Sequence, residues 1–174
     1  RGVIPAFWLS EIERSMRRPV VHLFDMMSGT STGAIIAAGL SSPYLRDRDI
    51  RKDENGQTVL DVPIFSNYMP QYRAFDILEL YRHQNSEIFS RDPQGLFSLP
   101  WLKEATAPKY TDRGRLKLFS KYFEDRKLSD SLVDLVIPAV EESNVARTYL
   151  FSAKDAKRDS SRFDQLLTDA LMAT

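Results

Sequence analysis

The residues whose types and spacing suit chemistry are Gly29-Thr30-Ser31-Thr32-Gly33. A serine hydroxyl is a weak nucleophile until it is lifted out of the chain, stripped of water and set beside a base. A G-x-S-x-G run does the lifting when a strand leads into it and a helix leads out, because the sharp turn leaves the serine at its tip. The setting here fits. The apolar run Val20-Val21-His22-Leu23-Phe24-Asp25-Met26-Met27 precedes it, and Ala34-Ile35-Ile36-Ala37-Ala38-Gly39-Leu40 follows. The chemistry would be acyl transfer through Ser31. The turn is expected to crowd the positions two before and two after the serine, which Gly29 and Gly33 fill. Ser31 would stand at a helix N-terminus, where the dipole favours an alkoxide and a tetrahedral anion. The N–H of Thr32 is the natural oxyanion donor, and Thr30 and Thr32 need no side-chain role.

Other readings of the loop fit less well. A phosphate-binding P-loop ends in Gly-Lys-Ser/Thr, and this loop has no lysine. A dinucleotide fingerprint needs a third glycine where Ala34 stands. The plain alternative is a loop that only turns the chain. The base is the open question. His22 lies in the apolar run and suits a core or near-surface histidine. His83, between Arg82 and Gln84 on a helical stretch, has no acidic orienter close in sequence. Asp25 suits a hydrogen-bond acceptor better than a base, and many other aspartates are available.

The elements that must position the loop are legible from periodicity. Residues 3–18 read as a helix, with Ile4, Trp8, Ile12 and Met16 on one stripe and Pro5 in the first turn, where proline is tolerated. Arg14, Arg17 and Arg18 suit its C-terminus and Pro19 stops it. Residues 20–27 read as a strand buried on both faces, as in a parallel sheet, and helix 32–40 is apolar all round and so buried. Residues 46–56 carry eight charges in eleven positions, four of each sign, and form a charged surface insertion around an Asn55-Gly56 turn. Residues 58–65 read as an edge strand because of Pro63. Residues 75–89 are helical, with Ile77, Leu80 and Tyr81 on one face. Residues 90–110 read as loop. Residues 111–124 are helical, with Leu116, Leu118, Phe119 and Phe123 as core. Strands at 132–140 and 147–153 flank a turn at Glu141–Asn144, and residues 161–172 form a closing helix. This alternation predicts an α/β fold, a three-layer α/β/α sandwich on a mostly parallel sheet, with ligands at the carboxyl ends of the strands.

Composition narrows the function. A chain of 174 residues suits one domain spanning 1–174. Its 24 basic and 24 acidic residues cancel, which argues against nucleic acid as partner. The absence of cysteine excludes disulfides, thiolate metal sites and a Cys nucleophile. No apolar run reaches the roughly 18 residues of a membrane span. A soluble protein is expected, cytoplasmic or peripheral at membranes. The chain opens on Arg1-Gly2 and stops on Ala173-Thr174, which predicts a segment of a longer protein, incomplete at both ends.

In sequence, the run FDMMSGTSTGAIIAAGL (24–40) resembles the nucleophile region of the patatin-like phospholipases. Arg1-Gly2-Val3-Ile4-Pro5 is similar to the tail of that family's D-G-G-G-x-R-G segment. The stretch Ala74–Tyr81 ending at Ile88-Phe89, Pro108-Lys109-Tyr110, Lys127–Asp130, Ile137-Pro138-Ala139 and Tyr149–Ser152 follow in family order. Ala173-Thr174 resembles the start of its A-T-S-A-A-P segment. The resemblance implies a lipid acyl hydrolase with a Ser-Asp dyad in place of a triad. Ser31 would form the acyl-enzyme, and an aspartate of an Asp-Gly-Gly or Asp-Gly-Ala motif would act as base. The glycine-rich segment, of which Arg1 and Gly2 are the edge, would serve the oxyanion with Thr32. No metal or organic cofactor is implied. The substrate would be a phospholipid or other lipid ester, met by transient contact with a membrane surface, and Leu96-Phe97 with Leu99-Pro100-Trp101 are candidate loops for that contact. The chain contains no Asp-Gly dipeptide and no adjacent glycines. The dyad aspartate is therefore expected outside residues 1–174. Two alternatives stay open: a non-catalytic lipid-binding or interaction module of the same fold, and a Ser-His-Asp α/β-hydrolase esterase using His83 or a downstream histidine.

Overall fold

Helix α1 (Val3–Met16) carries Pro5 in its first turn, as expected, and ends at Arg17 in a left-handed cap. The structure is a computed structural model that describes residues 2–44, 50–52, 58–60, 69–83, 112–141 and 147–174. The stripe of Ile4, Trp8, Ile12 and Met16 faces outward, with Ile4 67% and Trp8 62% exposed. The inward face is made of Ala6, Leu9 and Glu13. Small Ala6 lets the helix approach, and α1 lies against α3 (Ala74–His83).

Glu13 explains that orientation. It is buried, and its Oε1 accepts the Val20 N–H at 2.8 Å. Its Oε2 accepts the Ala74 N–H at 2.9 Å and Arg73 Nε at 3.2 Å. Ala74 opens α3, so a carboxylate satisfies a donor that no helix turn reaches. One side chain joins α1, the segment after Pro19 and the start of α3.

The expected strand over 20–27 is corrected. Val20–His22 close a 3-10 turn, with His22 N–H on Pro19 O and Leu23 N–H on Val20 O, both at 2.9 Å. Val20 and Val21 are buried in that turn, so their hydrophobicity serves packing and no ladder. Short apolar runs do not distinguish these outcomes. Strand β1 is Met26–Ser28 alone, and only Met27 is buried, so it is covered on one face. Helix α2 (Thr32–Ser41) follows, buried from Ala34 to Ser41, in agreement with its apolar sequence.

Two short strands follow, one inside the charged stretch 46–56 and one at the start of the expected edge strand 58–65. β2 (Ile50–Lys52) pairs antiparallel with β3 (Thr58–Leu60), with Ile50 opposite Leu60. The Asn55-Gly56 turn, Pro63, residues 84–110 with the candidate loop Leu96–Trp101, and the turn after Glu141 lie outside the described residues. Ile77, Leu78 and Tyr81 of α3 are buried, as are Leu118, Phe119 and Phe123 of α4 (Asp112–Phe123), whereas Leu116 is exposed.

The main sheet has the order β1–β4–β5. β4 (Asp134–Glu141) runs parallel to β1, with Met26 opposite Asp134 and Ser28 opposite Val136. β5 (Arg147–Ser152) returns antiparallel to β4. The described sheet is thus mixed where a mostly parallel one was expected. A short return between consecutive strands permits only the antiparallel arrangement. Leu135, Ile137 and Ala139 alternate inward along β4, the period-2 signature of a packed face. Helix α5 (Ala153–Arg158) follows β5 where no helix was expected, and residues 161–172, expected as one helix, divide between α6 (Ser160–Phe163) and α7 (Leu167–Met172). Lys127 bridges to Leu166 there, and the Leu128 N–H binds Gln165 O at 3.0 Å, which draws the chain away from helical geometry. Leu167, Ala170 and Leu171 bury α7 against β4, α2 and α4.

Candidate active site

The last rung between β1 and β4 is the Gly29 N–H on Val136 O at 3.4 Å. Beyond it the chain leaves the sheet. Ser31 caps α2 with φ 51° and ψ −119°. Arg17, also at positive φ, has ψ 30° and is an ordinary left-handed helix end. Ser31 lies outside that region, in a conformation that costs a side-chain-bearing residue about 1–3 kcal/mol and persists only where its surroundings enforce it.

The enforcing contacts surround it. Ser31 O accepts the N–H groups of Ala34 at 3.0 Å and Ile35 at 3.2 Å, and Thr30 O accepts that of Gly33 at 2.9 Å. Ser31 N–H donates to Thr174 Oγ1 at 3.3 Å, and the Thr174 hydroxyl donates to Pro138 O at 2.6 Å. A Cβ on Gly29 would lie 2.3 Å from Gly33 C and 2.5 Å from Gly33 O. Glycine at 29 is therefore what lets the first turn of α2 close on the end of β1. Gly33 differs: a Cβ there meets nothing within 4 Å. The expected crowding at both glycines holds for Gly29 alone, because the neighbour that crowds it is the Gly33 main chain.

Tyr81 braces the turn from below. Its hydroxyl donates to Thr32 O at 3.0 Å, and burial holds that hydroxyl far above its ordinary pKa, so it stays a donor. Its ring lies against Gly2, where a Cβ would come within 2.7 Å of Cζ. Gly2 thus reaches the elbow through Tyr81, while Arg1 lies outside the described residues.

Chemically, Ser31 is exposed at the N-terminus of a buried helix. Thr32, the first helical residue, has an N–H with no intrahelical partner. The positive end of α2 and that N–H both favour charge on an oxygen beside Ser31. Among the described residues no carboxylate or imidazole hydrogen-bonds the Ser31 hydroxyl. His22 is exposed in the 3-10 turn and not within a buried strand. His83 ends α3. Asp25 is exposed, and its carbonyl accepts the Asp134 N–H at 3.1 Å, at the start of the β1–β4 ladder.

Two residues that hold the elbow were not legible as such: Tyr81 reads as core, and Thr174 as the edge of a motif. The one available signal was Pro138. A proline in a paired strand marks a position whose N–H has no neighbour to reach.

A sequence profile described as patatin-like phospholipase matches residues 1–174. The chain belongs to the patatin-like phospholipase family. Patatin-like protein 2 of Arabidopsis thaliana is 27% identical over 181 residues, covering 100% of this chain and 39% of the plant protein. Patatin-like protein 2 of Oryza sativa subsp. indica is 25% identical over the same length, 100% of this chain and 39% of its own. A cGAMP-activated phospholipase of Pseudomonas aeruginosa is 26% identical over 149 residues, 82% of this chain and 34% of that protein. The chain thus spans less than half the length of the relatives it matches. Among the described residues no helix is long and apolar enough to cross a membrane.

Proposed function

We propose that this patatin-like chain carries the nucleophile of a lipid acyl hydrolase, and that Ser31 attacks the ester carbonyl of a phospholipid or neutral lipid. The observation that carries the reading is the backbone of Ser31: a strained, positive-φ serine exposed between β1 and the N-terminus of α2. A structural loop has no need of that conformation on a residue with a side chain.

In this mechanism Ser31 Oγ bonds the ester carbon and its proton passes to a carboxylate base, which returns it to the departing alcohol. The acyl-enzyme is then hydrolysed by water that the same carboxylate activates. The Thr32 N–H stabilises the tetrahedral oxyanion, joined by main-chain N–H groups of a glycine-rich segment leading into Arg1-Gly2. The base is an aspartate of an Asp-Gly motif outside residues 1–174. The name of the Pseudomonas relative, a phospholipase, supports phospholipid as the substrate class. The same reading extends the mixed sheet into a three-layer sandwich and brings the enzyme to its substrate by transient contact with a membrane surface.

The test is hydrolysis of phosphatidylcholine vesicles and of a short p-nitrophenyl ester by the full-length protein. Both activities are expected to vanish in Ser31→Ala, together with labelling by a fluorophosphonate. A second reading draws on the lack of a base at Ser31 among the described residues: a non-catalytic lipid-binding module. Vesicle binding without turnover, unchanged in Ser31→Ala, would decide for it.

A further inference from the structure

β4 outruns β1. Val136 O accepts the last N–H that β1 offers, from Gly29, and β4 continues to Glu141. Backbone groups alternate sides along a strand, so Pro138 turns its nitrogen and carbonyl to the side that β1 has left. Proline has no N–H to leave bare there. Its carbonyl would be bare, and the Thr174 hydroxyl donates to it at 2.6 Å. The oxygen of that hydroxyl accepts the Ser31 N–H at 3.3 Å. One side chain thus stands where the next residues of β1 would have stood, answering β4 on one side and the departing chain on the other.

We propose that Thr174 is a positioning residue for the nucleophile, a role that rests on the reading of Ser31 given above. Its hydroxyl ties the Thr30–Ser31 peptide unit to β4 and so fixes the φ of Ser31 and the direction of its Oγ. The other main-chain contacts of the elbow come from the first turn of α2 itself, Gly33 on Thr30 O and Ala34 and Ile35 on Ser31 O, while Tyr81 binds the carbonyl of Thr32. Thr174 is the contact that joins the Thr30–Ser31 peptide unit to β4 from outside the turn. Its own placement is firm, because α7, buried through Leu167, Ala170 and Leu171, ends two residues before it. Threonine suits the task because a hydroxyl donates and accepts through one atom.

The experiment compares Thr174→Val, Thr174→Ser and wild type in the full-length protein. Valine keeps the shape and loses both hydrogen bonds; serine keeps the hydroxyl. Thr174→Val is expected to lower kcat on a short p-nitrophenyl ester, and the rate of fluorophosphonate labelling, by about tenfold, the size of one misplaced hydrogen bond at a reacting group. KM should stay unchanged, and Thr174→Ser should recover most of both rates. A hydroxyl that only seals the edge of β4 would lower the melting temperature and leave the labelling rate per folded molecule untouched. That result, or equal loss in Thr174→Ser, overturns the proposal while leaving Ser31 as nucleophile. Labelling that fails in wild type, or persists in Ser31→Ala, overturns the nucleophile reading and this proposal with it.

Discussion

Alanine at Gly29 and at Gly33 should have opposite consequences, although a G-x-S-x-G pattern treats the two glycines alike. At Gly29 the new Cβ would stand 2.3 Å from Gly33 C, 2.5 Å from Gly33 O and 2.8 Å from Ala34 N. Ordinary van der Waals contact begins near 3.4 Å, so the shortfall is about 1 Å. All three atoms are main chain, and no rotamer change relieves them. The start of α2 must move away from β1, and Ser31 moves with it. Overpacking of this kind costs about 1–3 kcal/mol of stability. A displacement of about 1 Å at a reacting group costs on the order of 100-fold in rate. At Gly33 the Cβ enters open space inside the first turn of a helix, where alanine is favoured over glycine by up to about 1 kcal/mol. The assay is fluorophosphonate labelling of Ser31 together with urea unfolding. Gly29→Ala should lose both labelling and stability. Gly33→Ala should label at close to the wild-type rate and unfold at an equal or higher urea concentration. Equal damage in the two variants, or an unimpaired Gly29→Ala, would refute the assignment of the crowding to Gly29.

Replacement of Ser31 by glycine should abolish labelling and hydrolysis while raising stability by about 1–2 kcal/mol, because glycine adopts φ 51° and ψ −119° without the strain serine bears; calorimetry reads the gain, and a loss of stability would contradict the strain. Glu13→Gln should cost about 3 kcal/mol by urea unfolding, since it sets an amide N–H against one of two main-chain donors, Val20 or Ala74. Arg73 contributes the smaller share, as its side chain is partly exposed. An effect within 0.5 kcal/mol, the ordinary scatter of surface changes, would show that the carboxylate is no staple.

What was legible in the sequence is what depends on near neighbours. The all-apolar run of α2 announces a buried helix, and the small residues around Ser31 announce a tight turn. The hairpin of β4 and β5 follows from two β-rich runs with a short gap. What was not legible depends on partners far along the chain. The apolar Val20-Val21 became a 3-10 turn because Pro19 and Glu13 set the direction of the chain there. The stripe of Ile4, Trp8, Ile12 and Met16 has correct helical spacing, yet α1 turns Ala6 and Glu13 inward. The deciding groups, Val20 N–H and the start of α3, lie elsewhere in the sequence. At the candidate site, the turn at Ser31 and the helix start at Thr32 were legible from the motif and its flanks. Tyr81 and Thr174 were not, since neither differs in type or spacing from a core tyrosine and a helix-end threonine.

The hydrogen bond from Ser31 to Thr174 spans 143 positions of sequence. Joining points so distant sets a loop-closure cost that local helices never face, and contacts of this kind form late. During synthesis the turn at Ser31 emerges long before the strand it leans on and the threonine that holds it. A growing chain therefore carries its serine unset until the stretch through α7 has left the ribosome. The order of translation thereby sets the turn at Ser31 only once the domain around it has closed.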